Sequence, residues 1–199
     1  MIRYIYLSLL SGLCIFFLNA CGENASEQAR QVSTTDQYFD VAGFIKEQII
    51  LLNKENPAAV KTVTENNSQA ETKQLQSLDW QDELESFTEL DINKPAFRQA
   101  YTSRQQQDAN GLTTITYTRK PGADGNIEYL TVSTDANGQV KYLRGVQKSK
   151  NILIQTYREL NMQCYTKNGL TRVSSYSIQG LQKPIILKGL RYKLITRII

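Results

Sequence analysis

Apolar residues recur along this chain first at helical spacing and then, beyond Leu112, at every second position, so helices are predicted in the first half and strands in the second. Ahead of both lies an apolar run without charge at residues 4–18, preceded by Arg3. Tyr38, Val41, Ile45, Ile49 and Leu52 then form one stripe, widened by Phe44, Ile50 and Leu51. Thr34 and Gln37 fit a capping box, Asp36 suits the first turn, and Pro57 ends the pattern because the residue before a proline resists helical backbone. So broad a stripe predicts a long N-terminal helix buried against a sheet. With Asp36, Asp40 and Glu47 against Lys46 and Lys54, it lacks the basic face of a membrane-lying helix.

Residues 59–65 and 70–76, around Asn66-Asn67-Ser68, predict a small hairpin. Asp79 is placed to cap a short helix in which Trp80, Leu84, Phe87 and Leu90 share a face. Asn93 and Pro95 predict a second short helix carrying Phe97 and Tyr101, and residues 104–111 read as a polar loop. Strands are predicted over 113–119, 127–134, 139–147, 152–167, 170–179 and 185–198, with turns at Asp135-Ala136-Asn137-Gly138 and at Asn168-Gly169. A two-residue turn fixes pairing. Lys167 then faces Leu170, Cys164 faces Val173, Met162 faces Ser175 and Leu160 faces Ser177. One face reads Ile152, Ile154, Leu160, Met162, Cys164 and Val173; the other reads Tyr157, Tyr165, Arg172 and Tyr176. In the last strand Ile186, Leu190, Tyr192, Leu194 and Ile198 oppose Arg191, Lys193 and Arg197. The expected fold is α+β: a long N-terminal helix and short helices on one face of a curved antiparallel β-meander of about six strands, in one domain over 34–199.

Composition narrows the chemistry. The chain has no histidine, which removes the commonest general base and zinc ligand and every Ser-His or Cys-His nucleophile pair. Phosphate-loop, dinucleotide-binding, CxxC, HExxH and GxSxG patterns are missing from the sequence. Asp79, Asp82, Glu83 and Glu85 sit where helix caps belong, and the Asp/Asn/Gly runs at 124–126 and 135–138 read as turns rather than calcium loops. Cys164 alternates onto the apolar face, where a thiol is inert. No enzymatic activity, cofactor or metal is expected.

Charge is divided unevenly. Residues 21–140 carry 10 Lys and Arg against 18 Asp and Glu, whereas residues 141–199 carry 12 against Glu159 alone. Such asymmetry predicts an anionic partner for the basic part, or docking between the two parts. Tyrosines interleave with the cations, which places a candidate binding face at Lys141, Arg144, Arg172, Arg191, Lys193 and Arg197, with Tyr165 and Tyr176 beside them.

The address comes from the first 21 residues. Leu18-Asn19-Ala20-Cys21, after the apolar run, resembles a bacterial lipoprotein lipobox. The resemblance implies that residues 1–20 are a signal peptide and that Cys21 becomes the lipidated first residue, with two or three acyl chains that anchor it stably. Residues 21–33 then read as a flexible tether, of which 22–33 extend to about 40 Å. Gly22 after the cysteine resembles an outer-membrane address. The stretches Asp79-Trp80-Gln81-Asp82-Glu83-Leu84, Asp91-Ile92-Asn93-Lys94-Pro95 and Tyr176-Ser177-Ile178-Gln179-Gly180-Leu181-Gln182-Lys183 resemble uncharacterised lipoproteins of Bacteroidota, which implies no particular activity. The expected function is a non-enzymatic, membrane-anchored lipoprotein of the outer membrane. It would bind an envelope protein or an anionic lipid or glycan through its basic, Tyr-rich sheet face, and not nucleic acid. The alternative is a carrier holding a lipid or acyl chain in a cavity between helix and sheet. If Cys21 is the anchor, cells fed an alkyne-tagged palmitate will label the chain, and Cys21→Ser will abolish the label; undiminished labelling of that variant contradicts the assignment.

Overall fold

The computed structural model describes residues 38–66 and 68–199; the expected signal peptide (1–20), Cys21, the expected tether and the cap expected at Thr34 and Gln37 lie outside them. Helix α1 spans Val41–Glu55 and helix α2 spans Trp80–Thr88, with a single 3-10 turn at Pro95–Phe97. The strands are β1 (Ala59–Glu65), β2 (Glu71–Leu75), β3 (Tyr101–Gln107), β4 (Thr113–Arg119), β5 (Ile127–Thr134), β6 (Val140–Lys150), β7 (Ile154–Lys167), β8 (Leu170–Pro184) and β9 (Leu190–Ile198). They form one antiparallel sheet in the order β2-β1-β9-β8-β7-β6-β5-β4-β3.

Helix α1 is shorter at its start than the pattern suggests. Asp40 is its N-cap, accepting from the Gly43 amide at 2.7 Å. Tyr38 and Phe39 are held outside the helix by Asn93. The Tyr38 amide donates to Asn93 Oδ1 at 3.1 Å, and Asn93 Nδ2 donates to the carbonyls of Tyr38 and Phe39. Asn93 therefore clamps the incoming chain instead of opening a helix. The stripe is still the buried one, with Val41, Ile45, Ile49 and Leu52 in the core. Gln48 docks the helix onto β8: its Nε2 donates to the Thr171 carbonyl and its Oε1 accepts from the Val173 amide. The β8–β9 ladder begins only at Ser175, so Gln48 supplies an acceptor that no strand offers there. Asp79 caps α2 as expected, accepting from the Gln81 and Asp82 amides. No helix of the described residues is long and apolar enough to cross a membrane.

Nine strands replace the six expected. The β1–β2 hairpin joins the main sheet through β9, and β3 occupies the supposed polar loop, with Tyr101 starting a strand rather than lying in a helix. In β3 only Tyr101 is buried; an edge strand hydrogen-bonded on one side needs no apolar face, so its Gln-rich sequence carries no alternation to read. At the other end of the chain, β8 runs on to Pro184 and residues 185–189 form a loop. β7 likewise starts at Ile154, because Asn151 Oδ1 accepts from the Leu153 and Ile154 amides and makes a turn there.

The β7–β8 register follows the Asn168-Gly169 turn as far as Cys164 opposite Val173. Ser174 is then an extra residue, so Met162 faces Tyr176 and Leu160 faces Ile178. That bulge turns Tyr176 away from the face it was expected to share with Tyr165 and into the core, where it is 2 % exposed. The core lies between the helices and one sheet face, with Trp80, Leu84, Phe87 and Leu90 clustered with Leu143, Leu160, Met162 and Tyr176. Gly145 admits the close approach: a Cβ there would lie 2.3 Å from Leu90 Cδ2, and Leu90 is wholly buried. Gly145→Ala is expected to cost about 1–3 kcal/mol through overpacking. Urea unfolding reads the cost, and a neutral substitution would contradict this packing.

Candidate functional site on the outer sheet face

Residues that alternate with Leu160 and Met162 point away from the helices, and the registers align them in rows across β6, β7, β8 and β9. Nearest the 151–153 turn lie Lys150, Gln155 and Lys183; next come Lys148, Tyr157, Leu181 and Arg191. The third row is Val146, Glu159, Gln179 and Lys193, with Thr64 of β1 beside it. Two grooves follow these rows. One, about 450 Å³, is lined by Arg119, Glu128, Lys148, Lys150, Tyr157 and Lys183; the other, about 420 Å³, by Tyr157, Gln179, Leu181, Arg191, Tyr192 and Lys193. Tyr157 and Leu181 line both, so the grooves adjoin across that pair.

Glu159, the single acid of the basic segment, anchors the middle of this face. It accepts from Arg144 Nη2 at 2.7 Å and from Gln179 Nε2 at 3.0 Å. Burial pushes its carboxyl up, but the Gln179 amide and the Arg144 guanidinium outweigh burial and hold it below the ordinary glutamate value. Arg144 also stacks over the Tyr129 ring at 5.3 Å. Burial, and then the nearby Glu159 charge, raise the Tyr157 phenol, which stays neutral and able to donate.

The expected contact residues are dispersed. Arg191 and Lys193 lie in the second and third rows, while Arg197 lies opposite Ser175, farther from the 151–153 turn. All three are exposed, and among the described residues no carboxylate stands within ion-pair distance of them. Arg144 is on the face but engaged by Glu159. Lys141 pairs with Asp135 at 3.0 Å and donates to the Thr166 hydroxyl. Tyr165 and Arg172 line a different groove, of about 390 Å³, beside the C-terminal end of α1, and Arg172 is ion-paired with Glu55 there. Tyr176 is in the core; burial and the Glu83 carboxylate, which accepts from its hydroxyl at 2.5 Å, push its phenol far above the usual value. Tyr101 and Tyr117 are likewise buried beside Tyr38. Lys148, Lys150, Tyr157 and Lys183 are the residues that sequence reasoning left out. Their signal was present: Lys148-Ser149-Lys150 directly precedes Asn151-Ile152-Leu153, and Lys183 directly precedes Pro184-Ile185-Ile186-Leu187.

Glu83 and Glu159 lie on opposite faces of the sheet, since Glu83 binds Lys61 and Tyr176 on the helix side. Burial pushes the Cys164 thiol up to about 12, which keeps it protonated and unreactive. Among the described residues no group of three or more Cys, Asp or Glu side chains is arranged to hold a metal ion. No protein-family model, curated protein or solved structure matches the chain.

Because the folded Glu159 is held below the unfolded value of 4.5, its contribution is complete above that pH and is lost as pH falls through the lower, folded value. Glu159→Gln is expected to cost about 1–2 kcal/mol at pH 7. In parallel thermal melts, the gap to the unmodified chain should close below pH 4.5; a gap that stays constant into acid would contradict the network.

Proposed function

We propose that this chain is a non-enzymatic, lipid-anchored envelope module that binds an anionic component through the outer face of β6–β9. The observation that carries the reading is the concentration of Lys150, Lys183, Arg191 and Lys193 along two adjoining grooves, in which the lining acid, Glu128, is engaged by Arg119 and Lys148, while Glu159 nearby on the same face is engaged by Arg144. Cations so placed keep their field directed outward, favouring an acidic ligand or surface and making association sensitive to salt. The lipobox at Leu18-Asn19-Ala20-Cys21 supports acylation at Cys21 and an outer-membrane address. The resemblance to Bacteroidota lipoproteins fits the same setting.

A carrier could use either of two grooves beside α1. One mixes Leu51, Leu52, Pro57 and Ile198 with Gln48, Glu55 and Arg172, and its arginine is already paired; the other, about 530 Å³, mixes Phe39, Phe44, Leu51 and Leu170 with Asp40, Glu47 and Gln48. The outer face therefore supports binding better than carriage.

The test places a photo-crosslinking amino acid at Leu181, between the grooves, in the full chain within intact envelopes. A discrete adduct is expected, and Arg191→Glu with Lys193→Glu should reduce it about tenfold, while the thermal midpoint changes little because both side chains are exposed. An adduct indifferent to both reversals, or none at all, would overturn the reading.

A further inference from the structure

The same end of the sheet carries an apolar prow. Ile152 and Leu153 form the β6–β7 turn, and Ile185, Ile186 and Leu187 form most of the β8–β9 loop. Their exposures are 86 %, 73 %, 69 %, 91 % and 73 %. Single exposed aliphatics are ordinary on a protein surface, but five on two adjacent turns are not. The turns are tied together, since the Ile185 amide donates to the Leu153 carbonyl at 3.1 Å. Asn151 fixes one turn through its two side-chain bonds, and Pro184 stiffens the start of the other.

We propose that this prow inserts into the surface of a phospholipid bilayer containing anionic lipids, with the lysines behind it bound to the headgroups. The charges fit that occupant. Lys150 and Lys183 stand in the first row behind the turns, Arg191 in the second beside Lys148, which also pairs with Glu128 at 3.8 Å, and Lys188 lies within the loop itself. Two residue steps along a strand measure roughly 7 Å, close to the roughly 5–10 Å by which interfacial apolar groups sink below the headgroups. Aliphatics at the acyl boundary thus put these cations at the level of the phosphates, where long side chains can snorkel. Tyr157, apolar in its ring and polar at its tip, sits in the second row, as an interfacial aromatic should. The chain's reach agrees. Tyr38 bonds through its hydroxyl to the carbonyls of Phe97 and Arg98, and Phe97 lies beside Gly125 of the β4–β5 turn, at the same end of the meander as both aliphatic turns. The 17 residues from Gly22 to Tyr38 extend to roughly 60 Å. A bilayer that holds Cys21 is therefore within range.

This inference rests on the reading that the basic face meets an anionic component, and it names that component. It is tested on the full chain reconstituted into phosphatidylglycerol/phosphatidylethanolamine vesicles whose acyl chains are brominated. Trp80, the only native tryptophan, is fully buried and gives a constant background. Ile186→Trp reports the prow, and Leu170→Trp reports the opposite end of the sheet, beside the Asn168-Gly169 turn. Ile186→Trp is expected to be quenched about twofold or more relative to Leu170→Trp. The excess should fall in phosphatidylcholine vesicles and on adding Lys150→Glu and Lys183→Glu. Equal quenching at the two positions overturns the proposal. So does a blue-shifted Ile186→Trp emission that bromine does not quench, which would place the prow against a second copy or another protein. Neither result touches crosslinking from Leu181, which reports contact with any partner of the basic face.

Discussion

An antiparallel sheet nine strands wide, with helices clustered on one face, must satisfy its other face without a second core. Everything distinctive about this chain follows from that one-sidedness. On the helix side, Trp80, Leu84, Phe87 and Leu90 fill the space over Leu160, Met162 and Tyr176. On the outer side, stability comes from cross-strand pairs: hydroxyls of Thr114 and Ser133 at 2.8 Å, Thr116 and Thr131 at 3.3 Å, Thr62 and Thr72 at 3.0 Å, and the Arg144–Glu159–Gln179 network. A face built this way is wet and polar, and its leftover charge is free to act on something outside the molecule.

The division of labour between the faces turns on one residue. Were Ser174 paired in the ladder, the unbroken register would put Tyr176 beside Tyr165 and Arg172 on the outer face. Because Ser174 bulges out of it, Tyr176 packs edge-on against Phe87 at 5.7 Å and binds Glu83, which in turn holds Lys61 of β1. A bulge has no short-range sequence mark, so a serine inside an alternating strand gives no warning of it. Asp79, the Asn168-Gly169 turn and the α1 stripe were legible because each acts through neighbours within a few residues. β3 was not, because an edge strand is defined by its partner and Gln105-Gln106-Gln107 is as acceptable in a loop. The aliphatics at 152–153 and 185–187 misled for the opposite reason: apolar runs read as core strands, and only the tertiary structure leaves them uncovered.

Charge shows the same limit. The sequence displays an acidic first part and a basic second part but leaves open whether they meet. They do, through Arg172–Glu55, Arg158–Glu89, Lys148–Glu128 and Lys141–Asp135, pairs that span the two segments. Each partly exposed pair contributes about 0–1 kcal/mol, so their main effect is on where the field points. They quieten Arg172 and Lys141, two of the expected contacts, and leave Lys150, Lys183, Lys188, Arg191 and Lys193 facing outward around the apolar turns. The proposed binding face thereby shifts toward one end of the sheet, away from the Asn168-Gly169 hairpin.

That shift is the central claim, and hydrogen–deuterium exchange of the full chain, compared in detergent and in native envelope membranes, tests it most directly. Added protection is expected in peptides covering 146–157 and 179–193, with α1, α2 and the 168–169 hairpin unchanged. Protection confined to the helices or to that hairpin would contradict the account.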